Sequence, residues 1–282
     1  MNKNQPVIAN KYKLIKPLGK GSYGSIYQGE NIRTGELVAI KTESILNYTG
    51  LLKHETKIYQ YLNICCKKSE NGIGIPSVRW FGRDEDNYYM AIDMLGESLE
   101  TIKERKGSFS LQTVSQLGIQ MIERLQFLHE NGLVHRDVKP SNFLLGPKGK
   151  EKILHLIDFG FCKRHMNGRH EQVNGSHKKR TAIIGTPNFV SVAVHQLNEP
   201  DIRDDLESVG YMLIYFYLER LPWDEHGATL NDVMNAKMDL LLKREMWEKI
   251  IPPAFLKFIE TVQTLENDID YDELINLLKP FI

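Results

Sequence analysis

Cysteine is scarce, neither charge sign dominates, and no apolar stretch is long. Each shortage removes a class of protein. Three cysteines, Cys65, Cys66 and Cys162, among 282 residues cannot build a disulfide framework, and none has metal-ligand spacing. A reducing compartment is expected, with Cys162 as a small buried apolar residue. Lysine plus arginine and aspartate plus glutamate come to 36 each, so no global field recruits nucleic acid. The longest apolar run, 210–218, is about half of the roughly 20 residues a membrane span needs. Asp204, Asp205 and Glu207 precede it and Glu219 and Arg220 follow, which fits a buried helix and no membrane association. Met1 to Pro6 lacks an apolar core of signal-peptide length, so a cytoplasmic or nuclear location is the expectation.

What is present is concentrated. His135-Arg136-Asp137-Val138-Lys139-Pro140-Ser141-Asn142 holds an acid, a base and an amide, between apolar Leu133-Val134 and Phe143-Leu144-Leu145. That pattern predicts a tight loop between two buried strand-like ends, its polar side chains facing a cleft. Upstream, Tyr12 to Leu18 reads as a strand entering Gly19-Lys20-Gly21-Ser22-Tyr23-Gly24. Glycines let backbone amides approach phosphate oxygens where a Cβ would intrude. Alone, this triplet is weak evidence, since Rossmann folds and ordinary hairpins carry it too. A Rossmann unit would continue at once into a helix. Here Ser25-Ile26-Tyr27-Gln28 reads as a second strand, which favours a β-hairpin over phosphates.

Leu37 to Thr42 is a third strand, with Lys41 at the end of its apolar run. By itself such a lysine usually marks only a strand end. Helical spacing follows over Leu51, Leu52, Glu55, Ile58, Tyr59 and Leu62. It places Glu55 on an apolar face, where a carboxylate needs a partner, and Lys41 is the candidate. Val78–Gly82 and Tyr88–Asp93 read as two further strands joined by a polar turn at 84–87. The composition changes at Met94-Leu95-Gly96, and helices dominate afterwards. Ser110 is a plausible cap for a helix ended by Asn131-Gly132. Lys152 to Ile157 reads as a strand presenting Asp158-Phe159-Gly160. Residues 161–190 lack apolar periodicity and read as a functional loop. Between 159 and 190 stand Lys163, Arg164, Arg169, Lys178, Lys179 and Arg180 against one acid, Glu171, a local basic surface.

The ordered set of glycine hairpin, Lys41 with Glu55, Asp137, Asn142 and Asp158 resembles a eukaryotic-type protein kinase over nearly all of 12–282. Within that superfamily the chain is similar to the casein kinase I family. The narrower likeness rests on Leu52 to Tyr59, Gly74-Ile75-Pro76, Leu95 to Glu100, His135 to Leu145, Asp204 to Tyr211 and Leu221-Pro222-Trp223. Arg136, Pro140 and the Leu-Gly-Glu-Ser-Leu-Glu after the connector argue against the related vaccinia-related kinases. The fold so implied is α+β and bilobal within a single kinase domain, 1–282. A small five-stranded antiparallel sheet with one helix (about 11–93) leads through a hinge (94–96) to a mainly helical lobe (97–282).

The likeness implies ATP and magnesium as cofactors. Leu18, Gly19, Lys20, Gly21, Ser22, Gly24, Ile26 and Ala39 would line the ATP site. Lys41, locked by Glu55, would hold the α- and β-phosphates. Ile92 would stand beside the adenine, with Asp93 and Leu95 offering backbone groups. Asp137 would orient the substrate hydroxyl and accept its proton, and Lys139 would steady the γ-phosphate, which points to serine and threonine rather than tyrosine. Asn142 and Asp158 would hold the metal, Thr186 would support the loop, and Asp205 would anchor it from the central helix. Partners implied are protein substrates with acidic or phosphorylated residues near the target serine or threonine, and the enzyme is expected to be a monomer. One departure concerns that anion site: family members have an arginine where this chain has Asn188. Lys178, Lys179 and Arg180 are the cations left to take its place. The competing reading is a catalytically silent scaffold that binds nucleotide. The intact lysine, catalytic aspartate and metal aspartate argue against it.

Overall fold

The computed structural model describes residues 6–21, 24–68, 73–165, 180–265 and 269–282. Packing divides the chain into two units, residues 1–96 with 145–160, and residues 97–144 with 161–282. Segment 145–160, expected with the helical part, thus groups with the sheet. Its backbone explains this: Gly96 N–H donates to Leu145 O at 2.8 Å and Leu156 N–H to Gly74 O at 2.9 Å.

The first unit is an antiparallel sheet of strands β1 (Val7–Ile8), β2 (Tyr12–Gly21), β3 (Gly24–Asn31), β4 (Leu37–Ser44), β5 (Val78–Arg83) and β6 (Asn87–Asp93). Their order is β1-β2-β3-β4-β6-β5. The sheet therefore has six strands, not five. The extra strand is β1, two residues long, whose Ile8 pairs with Tyr12 and joins the core of Tyr12, Val38, Ile40, Tyr89 and Ala91. Alternation along β4 does the sorting: Val38 and Ile40 face this core, while Ala39, Lys41 and Glu43 face the other way. Pro17, which has no N–H to give, stands beside a register shift in β2.

Helix α1 (Leu51–Cys66) begins at Gly50 with no side-chain cap. Buried Glu43 takes that role, accepting from Thr49 N–H at 2.9 Å and Leu52 N–H at 3.2 Å. A carboxylate suits a helix N-terminus, where free N–H groups and the helix dipole meet. Strand β4 thereby fixes where α1 starts, and so where Glu55 lies. The face α1 buries is Leu52, Glu55, Thr56, Ile58, Tyr59 and Leu62.

The second unit is helical: α2 (Leu99–Lys106), α3 (Leu111–Glu130), α4 (Val192–His195), α5 (Ile202–Tyr217), α6 (Leu230–Leu242), α7 (Arg244–Trp247), α8 (Pro253–Thr264) and α9 (Tyr271–Leu278). Ser110 caps α3 by accepting from Thr113 N–H at 3.2 Å, and Asn131 ends it. Asp201 and Asp204 form a reciprocal capping box on α5. Every residue of α5 from Asp205 to Ile214 is buried, which makes it the axis against which α3 and α8 pack. Short strands complete the chain: β7 (Leu133–Val134), β8 (Phe143–Leu145), β9 (Leu154–Leu156) and β10 (Lys163–Arg164). The strand expected over 152–157 is confined to β9. No helix among the described residues is long and apolar enough to cross a membrane.

Candidate active site

Sheet register assembles the first group of side chains. Gly19 pairs with Ile26, Ile26 with Lys41 and Lys41 with Met90, so these four positions share one face across β2, β3, β4 and β6. Ala39 and Ile92 form the next row on that face. Lys20 pairs with Ser25 and Gly21 with Gly24 at the hairpin end, while Ser22 lies outside the described residues. Leu18 is exposed at the edge and Leu95 is buried. The Asp93 carboxylate accepts from Ser77 N–H at 2.8 Å and pairs with Arg79, while the Asp93 N–H donates to Ser77 O at 3.2 Å.

The two flanking glycines differ in what demands them. A Cβ on Gly24 would fall 1.6 Å from Thr42 O, so the fold itself excludes a side chain there. A Cβ on Gly19 would meet nothing within 4 Å, and its φ is not left-handed. Among the described residues nothing requires glycine at 19, and its lack of a side chain leaves the backbone there open to close approach.

On the same face, Lys41 Nζ donates to Glu55 Oε2 at 2.7 Å and to Asp158 Oδ1 at 2.9 Å. Burial would push this ammonium down, but the two carboxylates overcome it and hold the lysine charged, above its ordinary range. Glu55 is pushed up to about 7, first by burial and then by Asp158, with Lys41 pulling the other way. One cation between two acids is a stable arrangement for the cation. Asp158 is itself strained, with φ 66°. Its N–H donates to Tyr59 Oη at 3.2 Å, and the next ring, Phe159, stands edge-on to Tyr59 at 4.7 Å.

The second group is built on the loop after β7. Asp205, near the start of α5, accepts from His135 N–H at 2.7 Å and from Arg136 N–H at 2.9 Å. His129 Nε2 lies 3.1 Å from the same carboxylate and its Nδ1 2.8 Å from Tyr271 Oη. Arg136, at φ 69°, adopts a left-handed backbone that these bonds hold in place. Asp137 is buried. Its Oδ2 lies 2.7 Å from Lys139 Nζ, its Oδ1 accepts from Thr186 Oγ1 at 2.9 Å, and its carbonyl accepts from Asn142 Nδ2 at 2.8 Å.

The basic stretch is less bare than the count to residue 190 implied. Glu199, beyond that count, lies 3.2 Å from Arg136 Nη1 and 2.8 Å from Lys163 Nζ, and also pairs with Arg180. Lys178 and Lys179 fall outside the described residues. The half-buried Asn188 has its carbonyl taken by Trp223 Nε1 at 3.0 Å.

The model of the protein kinase domain family matches residues 12–270 of the chain. The chain belongs to the protein kinase family, whose members are phosphotransferases that generally use ATP and Mg²⁺. Among the described residues, no group of three or more His, Cys, Asp and Glu could hold a metal. Magnesium needs no such cage, since it binds through one or two carboxylates together with substrate phosphates. The Asp158 carboxylate, in the first unit, is a hard oxygen donor of the kind it prefers.

Four contributors escaped the sequence reading: Tyr59 under Asp158, His129 behind Asp205, Glu199 among three cations, and Lys237 in α6. Lys237 had a legible signal. It stands between Val233 and Leu240 at helical spacing, as Glu55 stands among its apolar neighbours.

Proposed function

We propose that this chain is a protein serine/threonine kinase of the casein kinase I kind, which moves the γ-phosphoryl group of ATP to a serine or threonine of acidic proteins. The observation that carries the reading is the division of the Asp137 carboxylate between Lys139 and Thr186, at 2.7 and 2.9 Å. A base held at both oxygens is aimed before substrate arrives, and phosphoryl transfer needs positioning and charge neutralisation more than covalent help.

Asp137 orients the hydroxyl and accepts its proton. The hydroxyl oxygen bonds to the γ-phosphorus as the bond from that phosphorus to the β–γ bridging oxygen breaks, and ADP leaves. Lys41, kept cationic by its two carboxylates, holds the α- and β-phosphates, and Lys139 steadies the γ-phosphate. Magnesium, held by Asn142 and Asp158, would neutralise phosphate charge. Ile26, Ala39 and Ile92, on one face of the sheet, would cover the adenine.

Acidic substrates fit the basic stretch 163–180. Arg180 is already paired with Glu199 and Asn188 cannot make a charge-assisted bidentate pair with phosphate. Recognition of a priming phosphate is therefore weaker than the family pattern implies. The test is transfer from labelled ATP with magnesium to casein, followed by acid hydrolysis of the product. Label in phosphoserine and phosphothreonine is expected; label in phosphotyrosine would overturn the assignment.

A further inference from the structure

Lys237 is 1 % exposed, yet among the described residues no carboxylate forms an ion pair with it. Its Nζ donates to Pro187 O at 2.8 Å and to Val190 O at 2.6 Å. The same atom lies 4.7 Å from the centre of the Tyr211 ring, 5.4 Å from that of Trp223, and 3.2 Å from His195 Nε2. Trp223 Nε1 binds the carbonyl between those two, Asn188 O, at 3.0 Å. Thr186 O in turn accepts from Phe189 N–H at 2.8 Å and Val190 N–H at 3.0 Å. Four of the five carbonyls from 186 to 190 are thus fixed, two of them by one amine.

A lysine used only to fill space would be a poor choice here. Methionine has similar length and costs far less to bury, whereas burial pushes this ammonium down to about 7, with Glu207 pulling weakly the other way. What methionine cannot do is satisfy two inward-facing carbonyls. Charged or neutral, the amine keeps two N–H groups, one for each. The segment it holds begins at Thr186, whose hydroxyl aims Asp137. Its outer part, exposed Pro187 and half-buried Asn188, faces solvent.

We propose that Lys237 is a positioning residue for phosphoryl transfer: it clamps segment 186–190 so that Thr186 meets Asp137 and the segment's outer edge seats the acceptor peptide. The inference rests on the phosphotransfer reading above. The test uses the full chain with Lys237→Met, Thr186→Ala and the double variant. ATP and an acidic peptide are varied separately, and the folded fraction at assay temperature is fixed by thermal unfolding. Per folded molecule, Lys237→Met should lower kcat/KM for the peptide by about tenfold or more while KM for ATP stays within about twofold. Thr186→Ala should then cost much less in the methionine background than in the wild type, because both changes break one path. Losses that multiply independently, or a normal peptide kcat/KM, would overturn the proposal. If the methionine chain does not fold, Trp223→Phe serves, since it keeps a ring and removes the bond to Asn188 O. A normal peptide kcat/KM there overturns it equally. A wild type that transfers no phosphate would sink the kinase reading and this inference together. A wild type that transfers, beside a variant that matches it, sinks this inference alone.

Discussion

Thr186 and Asp137, 49 residues apart in sequence, are joined by a hydrogen bond from Oγ1 to Oδ1 of 2.9 Å. With Lys139 Nζ 2.7 Å from the other oxygen, both carboxylate oxygens have a partner. A hydrogen bond to a charged group contributes about 1.5–3 kcal/mol, or roughly ten- to a hundredfold in rate. Thr186→Ala should lower kcat by about that factor with KM for ATP unchanged, and Thr186→Ser should keep most of the activity. Steady-state kinetics on the three proteins decides it; an alanine variant as fast as wild type would mean that Asp137 needs no such aim.

The two glycines of the hairpin should separate fold from ligand. Gly24→Ala drives a Cβ into the Thr42 carbonyl, and overpacking of that kind costs about 1–3 kcal/mol. Its thermal midpoint should fall. Gly19→Ala meets no protein atom, so its midpoint should hold while KM for ATP rises. Equal midpoints and equal ATP affinities for both would contradict the assignment of Gly19 to phosphate.

Asp204 offers a check through pH. Burial, and then the Asp201 charge, push its carboxyl from 3.8 up to about 7. The native state holds this proton over a range where the unfolded chain has lost it. The contribution to stability is therefore complete below about 3.8 and is lost as pH rises through about 7. Asp204→Asn, which retains an acceptor for Ser191 Oγ, should flatten that part of the stability curve. Denaturant titrations from pH 4 to 8 would measure it, and an unchanged slope would refute it.

Priming should help little. Peptides with and without a phosphate near the target serine should react at rates within about threefold, because Asn188 lacks the bidentate charge that binds phosphate. A strong primed preference that disappears when Lys178, Lys179 and Arg180 are neutralised would show instead that this cluster does the reading.

Much of the architecture was legible because its signals are periodic or local. Glu55 on an apolar helical face required a cation, and Lys41 proved to be that cation at 2.7 Å. Ser110, Asn131 and the turn at 84–87 follow from backbone chemistry alone. Strand β1 was missed because two residues are too short to show alternation; what fixes it is Ile8 reaching a core assembled from β2, β4 and β6. Glu199 was missed for a different reason. Its partners Arg136, Lys163 and Arg180 come from three separate segments, and no spacing in the chain announces a long-range ion cluster.

The most direct test of the central claim is phosphate transfer from labelled ATP with magnesium to casein, comparing wild type with Asp137→Asn. Loss of a positioned base typically costs about 10²–10⁴-fold. Transfer to serine or threonine by the wild type, reduced by about that factor in the variant, is the expected result. Equal transfer by both proteins, or none by a wild type that still binds ATP, would contradict it.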